Sequence, residues 1–85
     1  MDIGVEISLY PLTEQYLEPI RALIGRLNAE PRLRVVTNSL STQVFGEYDL
    51  VMQTFERELR AALAAALAGG HRMVWFAKFV GPLGD

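Results

Sequence analysis

Few side chains in this chain could break or make a covalent bond. There are no cysteines, so thiol nucleophiles, disulfides and iron–sulfur ligation are excluded. His71 is the only histidine and follows Gly69-Gly70, poorly placed to activate Ser8 or Ser41 as a nucleophile. A lone histidine without a spaced set of carboxylates does not make a metal site. Glu6 and Glu47 are the candidates for acid–base work, and nothing around them in the sequence suggests a perturbed pKa. Hydrogen bonding is better provided for. Ser8, Tyr10, Thr37, Asn38, Thr42 and Gln43 carry hydroxyl or amide groups that donate as well as accept. No catalytic set is visible, so the residues alone make an enzyme the weaker reading and call for no cofactor.

The elements that must position these groups follow from hydrophobic spacing. Ile3, Val5, Ile7 and Leu9 alternate with Gly4, Glu6, Ser8 and Tyr10, a period of two that describes a strand ended by Pro11. Thr13 offers an N-cap. Ile20, Leu23, Ile24 and Leu27 then fall at helical spacing, with Pro19 acceptable only in the first turn and Pro31 as the stop. Residues 33–38 and 40–45 read as two strands joined by a tight turn at Asn38-Ser39. Gly46 is expected to turn the chain at positive φ, and Asp49 to cap a second helix over about residues 50–68. Met52, Phe55, Leu59, Ala62 or Leu63, and Ala66 would line its buried face. Glu56, Arg57, Glu58 and Arg60 would form its solvated side. Gly69-Gly70 ends it, and residues 73–80 form a last strand closed by Gly81-Pro82.

The order βαββαβ predicts a ferredoxin-like α+β sandwich over residues 1–85, one domain. Its four-stranded antiparallel sheet would carry two helices on one face, with the first and third strands central. The other face, with Glu6, Ser8 and Tyr10 and either Trp75/Phe79 or Phe76/Val80, has no cover. At 85 residues and 51% hydrophobic composition, that surplus predicts self-association through the helix-free face, as dimer or tetramer. The net charge of −2 and a third strand without basic or aromatic RNA-binding residues argue against nucleic acid. The longest apolar run, residues 61–68, is too short to span a bilayer, and no basic-then-apolar leader is visible, so a cytoplasmic protein is expected.

Ile7-Ser8-Leu9-Tyr10-Pro11-Leu12, Thr37-Asn38-Ser39-Leu40-Ser41-Thr42 and Gly46-Glu47-Tyr48-Asp49 together resemble the YkoF-related thiamine/hydroxymethylpyrimidine-binding family. The resemblance runs from about Val5 to Gly81. It implies binding of thiamine or its aminopyrimidine half without turnover, for transport, storage or salvage. Ser8, Tyr10, Asn38 and Thr42 match best by position, with Gln43 added on side-chain chemistry. The founding type fuses two such units; this chain holds one, so the second would come from another copy. An aminopyrimidine needs donors and acceptors beside a flat apolar wall. The thiazolium cation would favour Glu6, Glu47 or Trp75. Asn38 also reads simply as a turn former. Thr42 and Gln43 point to opposite faces of a regular strand, so both reach one ligand only at a bulge or a site straddling the sheet edge. The alternative function is a ligand-sensing or structural oligomerisation module.

Overall fold

The computed structural model describes residues 1–84. The chain forms β1 (Asp2–Pro11), α1 (Leu17–Asn28), β2 (Arg34–Thr37), β3 (Thr42–Glu47), α2 (Tyr48–Gly69) and β4 (Met73–Leu83). The strands make one antiparallel sheet in the order β2-β3-β1-β4, with β1 and β3 central as expected. This is the ferredoxin-like α+β arrangement.

Alternation along β1 turns Ile3, Val5, Ile7 and Leu9 toward the helices, where all four are buried. They pack with Val44 of β3, Leu23 and Leu27 of α1, Val51 and Phe55 of α2, and Leu33. Burying each such aliphatic side chain contributes roughly 1.5–3 kcal/mol. Trp75 of β4 also points inward and meets Phe55 edge to face, with ring centroids 6.0 Å apart. The opposite parity leaves Phe76 and Val80 on the helix-free side, each 59% exposed.

Several local expectations are corrected. Gly46 is not a left-handed turn; it lies within β3, and a Cβ there would come 2.7 Å from the Leu33 side chain. The glycine lets Leu33 close the core edge. Positive φ occurs instead at Gly70, the C-cap of α2. β3 runs straight into α2, so the helix starts earlier than expected. Its cap is Glu47, whose carboxylate accepts from the Asp49 and Leu50 N–H groups at 2.8 and 3.2 Å. Asp49 lies in the first turn, where its charge meets the helix dipole. Thr13 does not cap α1. It donates to Gln15 in the preceding loop, and Pro19 falls in the first helical turn. β2 and β3 begin later than their hydrophobic runs, at Arg34 and Thr42. β4 continues through Gly81-Pro82 to Leu83. As an edge strand it can leave the proline, which has no N–H, on its outer side.

The buried face of α2 keeps Phe55 and Ala66 as expected but differs from the expected one elsewhere. Val51, Thr54, Phe55, Glu58 and Ala66 are buried, whereas Met52 and Leu63 are exposed. Glu58 is thus not a solvated residue but 2% exposed. Its Oε1 accepts from Arg26 Nε of α1 at 2.7 Å, and Arg57 Nε lies 3.5 Å from its Oε2. Burying this carboxylate is tolerable because it is paired.

Candidate functional site

β1 is longer than the strand beside it. β3 begins at Thr42, opposite Ile7, while β1 runs on to Pro11 against Met73 of β4. A notch therefore opens in the sheet beside residues 8–11. A cavity of about 480 Å³ fills it, bounded by the end of β1, the front of α1 and the β2–β3 hairpin. Ladder alternation decides which main-chain groups face it. Leu12 N–H bonds Arg72 C=O at 3.0 Å, so even-numbered β1 residues bond toward β4. Leu9 then turns its N–H and C=O into the notch.

Ser8, Tyr10, Thr37, Asn38 and Thr42 all line this one cavity. Because the notch cuts the sheet plane, outward-facing Ser8 and Tyr10 and inward-facing Thr42 border the same space. Thr42 is buried, and its hydroxyl lies 3.2 Å from that of Thr37 across the β2–β3 ladder. Asn38 holds the hairpin: its Oδ1 accepts from Leu40 and Ser41 N–H at 2.8 and 3.1 Å, and its N–H donates to Ser41 C=O at 3.0 Å. The turn-forming reading of Asn38 is thereby correct, and it leaves only the amide NH₂ for the cavity. Ser8 and Tyr10 make no side-chain hydrogen bond among the described residues, whereas the Thr37 and Thr42 hydroxyls are paired with each other.

Ser39 and Ser41 of the hairpin complete the polar side, and the rest of the wall is apolar or aromatic. Ile20, Leu23 and Ile24 of α1 form its helix side, and Leu12, Tyr16 and Leu40 stand around the mouth. Among the described residues no charged side chain lines the cavity. Sequence reasoning missed the α1 wall, although Ile20 and Ile24 stand out as half-buried members of an apolar stripe.

Gln43 is not part of this cavity. It lies on the helix-free face beside Glu6, in a shallow depression with Phe45, Lys78 and Phe79. The groups expected to meet a cation are also elsewhere. Glu47 caps α2, Trp75 packs on Phe55, and Glu6 reaches the cavity rim only through Ser41, whose hydroxyl donates to Glu6 Oε2 at 3.0 Å. That hydrogen bond, with the Lys78 ammonium 3.4 Å away, holds the Glu6 carboxyl below the usual carboxylate range. Among the described residues no three His, Asp or Glu side chains gather as a metal cluster, and no helix is long and apolar enough to cross a membrane.

No protein-family model matches the chain, and no curated protein matches it in sequence. Solved structures do resemble it. A protein of Streptococcus pneumoniae superposes with a TM-score of 0.80 at 20% identity, covering 100% of this chain and 89% of the other. A Thermotoga maritima protein, provisionally named for thiamine biosynthesis or salvage, gives 0.80 at 19% identity, covering 96% and 85%. The domain of unknown function DUF77 from Bacillus cereus gives 0.69 at 16% identity, covering 96% and 77%. At these identities the likeness establishes a shared fold.

Proposed function

We propose that this chain binds thiamine or its hydroxymethylpyrimidine half in the notch beside β1, without turning it over. One observation carries the reading. A cavity of about 480 Å³ combines hydroxyls, an amide NH₂ and a main-chain donor–acceptor pair with an apolar wall and, among the described residues, no charge. An aminopyrimidine offers the complement: an exocyclic amine donor beside ring-nitrogen acceptors, on a flat neutral ring. The name of the Thermotoga maritima neighbour lends further support. The uncharged lining favours the pyrimidine half as the part held inside, with any thiazolium left toward the mouth.

The ligand would be carried, stored or salvaged in the cytoplasm, and copies of the chain would associate through the helix-free face as dimer or tetramer. Isothermal titration with thiamine and with hydroxymethylpyrimidine tests the binding, and saturable heats at micromolar or tighter affinity are expected. Flat heats with both, on a folded sample, would overturn it. The exposed Phe76 and Val80 would then favour a purely structural oligomerisation module.

A further inference from the structure

The centre of the helix-free face carries one acid beside one base. Glu6 of β1 and Lys78 of β4 are directly opposite in the ladder, both turned away from the helices, with Nζ 3.4 Å from Oε1. Apolar side chains flank them: Phe76 and Val80 on β4, and Phe45 of β3 beneath the Arg34 guanidinium, 4.2 Å from its ring centroid. Such a surface needs an occupant, and the charges indicate which one. A wholly apolar partner would strip water from the Glu6–Lys78 pair and return nothing, a cost that commonly exceeds the attraction within the pair. A uniformly acidic or basic partner would be repelled by one of the two. A patch that contains its own complement is what an isologous two-fold contact requires.

We propose that two copies of this chain pack helix-free face to helix-free face, each Glu6 meeting the partner's Lys78. The proposal rests on the reading that copies associate through this face. It does not depend on what the cavity binds. A two-fold axis running along the strands between β1 and β4 sets the four charges in alternating sign. Every charge then has two opposite neighbours, and the second pair offsets the desolvation of the first. The charges select a second copy over other greasy partners. Ser41 holds the Glu6 carboxylate by its 3.0 Å hydrogen bond, so the interface charge is tied to a residue of the cavity rim. Ser8 is opposite Phe76 in the ladder, so a partner that covers Phe76 also covers the outward mouth of the notch.

Charge reversal with mixing tests this, read by analytical ultracentrifugation at micromolar concentration, with circular dichroism to verify folding. Wild type is expected to sediment as a dimer. Glu6→Lys alone gives a face with two positive groups, and Lys78→Glu alone one with two negative groups. Each should weaken self-association at least about tenfold, or about 1.4 kcal/mol. An equimolar mixture of the two should recover the dimer as a heterodimer, which loss of the intrachain pair alone would not produce. If a reversal variant does not fold, Glu6→Gln and Lys78→Gln replace it, each expected to weaken the dimer, with partial recovery on mixing because only the mixed dimer keeps one Lys78–Glu6 contact across the interface. Variants that dimerise like wild type, or reversal variants that do not recover on mixing, would overturn the charge-matched contact while leaving association intact. A monomeric wild type would overturn the association reading as well.

Discussion

Ser8 and Thr42 test the cavity most directly, because they border it from opposite faces of the sheet. Ser8→Ala and Thr42→Val should each weaken ligand binding by about 1 kcal/mol per lost hydrogen bond, roughly fivefold, with folding preserved. Titration calorimetry on both variants measures this, and unchanged affinity in both would move the site. Ser41 offers a second residue-level test. Its hydrogen bond is the largest single cause of the lowered Glu6 pKa, followed by the hydrogen bond and the charge of Lys78. A carboxyl whose folded pKa lies below its unfolded value stabilises the fold above that unfolded value, and the contribution is lost as the pH falls through the folded one. Glu6 therefore supports the fold at neutral pH and ceases to do so in acid. Ser41→Ala should raise the Glu6 midpoint toward the ordinary carboxylate value, read by NMR titration of its side-chain carboxyl carbon. An unmoved midpoint would show that Lys78 alone sets it. These side chains were legible in the sequence as a polar set, and five of the six expected residues do share one cavity. Gln43 falls outside that cavity because one residue along a strand reverses the face, and no local signal says which parity looks inward.

At the scale of elements, strand lengths make the notch. The hydrophobic runs placed β2 and β3 within a few residues, but the hairpin between Thr37 and Thr42 is longer than the Asn38-Ser39 turn alone. Those extra residues start β3 late and leave the end of β1 without a partner on that side. The helices carry a second lesson. α2 was read with Met52 on its buried stripe and Glu58 in water, whereas the stripe passes through Val51, Thr54, Phe55 and Glu58. A run rich in alanine has a broad, weakly polarised apolar side, so spacing alone leaves its rotation free within about one residue. The buried Glu58 is held by Arg26 across the helix pair, with the arginine side chain itself 52% exposed. Arg26→Ala should destabilise the fold by about 1–2 kcal/mol, below the figure for a fully buried pair because water reaches the guanidinium and Arg57 stands nearby. Urea denaturation would measure it, and an unchanged midpoint would make the ion pair energetically idle.

For the whole molecule, binding and association are linked to stability by mass action. A ligand at about 100 times its Kd should stabilise the fold by about 2.7 kcal/mol, and hydroxymethylpyrimidine should therefore raise the midpoint of a thermal scan by roughly 10–20 °C. No shift at saturating concentration would count against the cavity reading, whatever the oligomeric state. The βαββαβ order, the central strands and the bare sheet face could all be read along the chain, because they follow from periodicity, from short connections and from crossover handedness. The notch, the pairing of Glu58 with Arg26 and the meeting of Glu6 with Lys78 could not. Each joins residues at least 32 positions apart, or turns on where one strand stops against another. Such neighbours arise only when the sheet and helices close on one another, because no local spacing brings together residues so far apart along the chain.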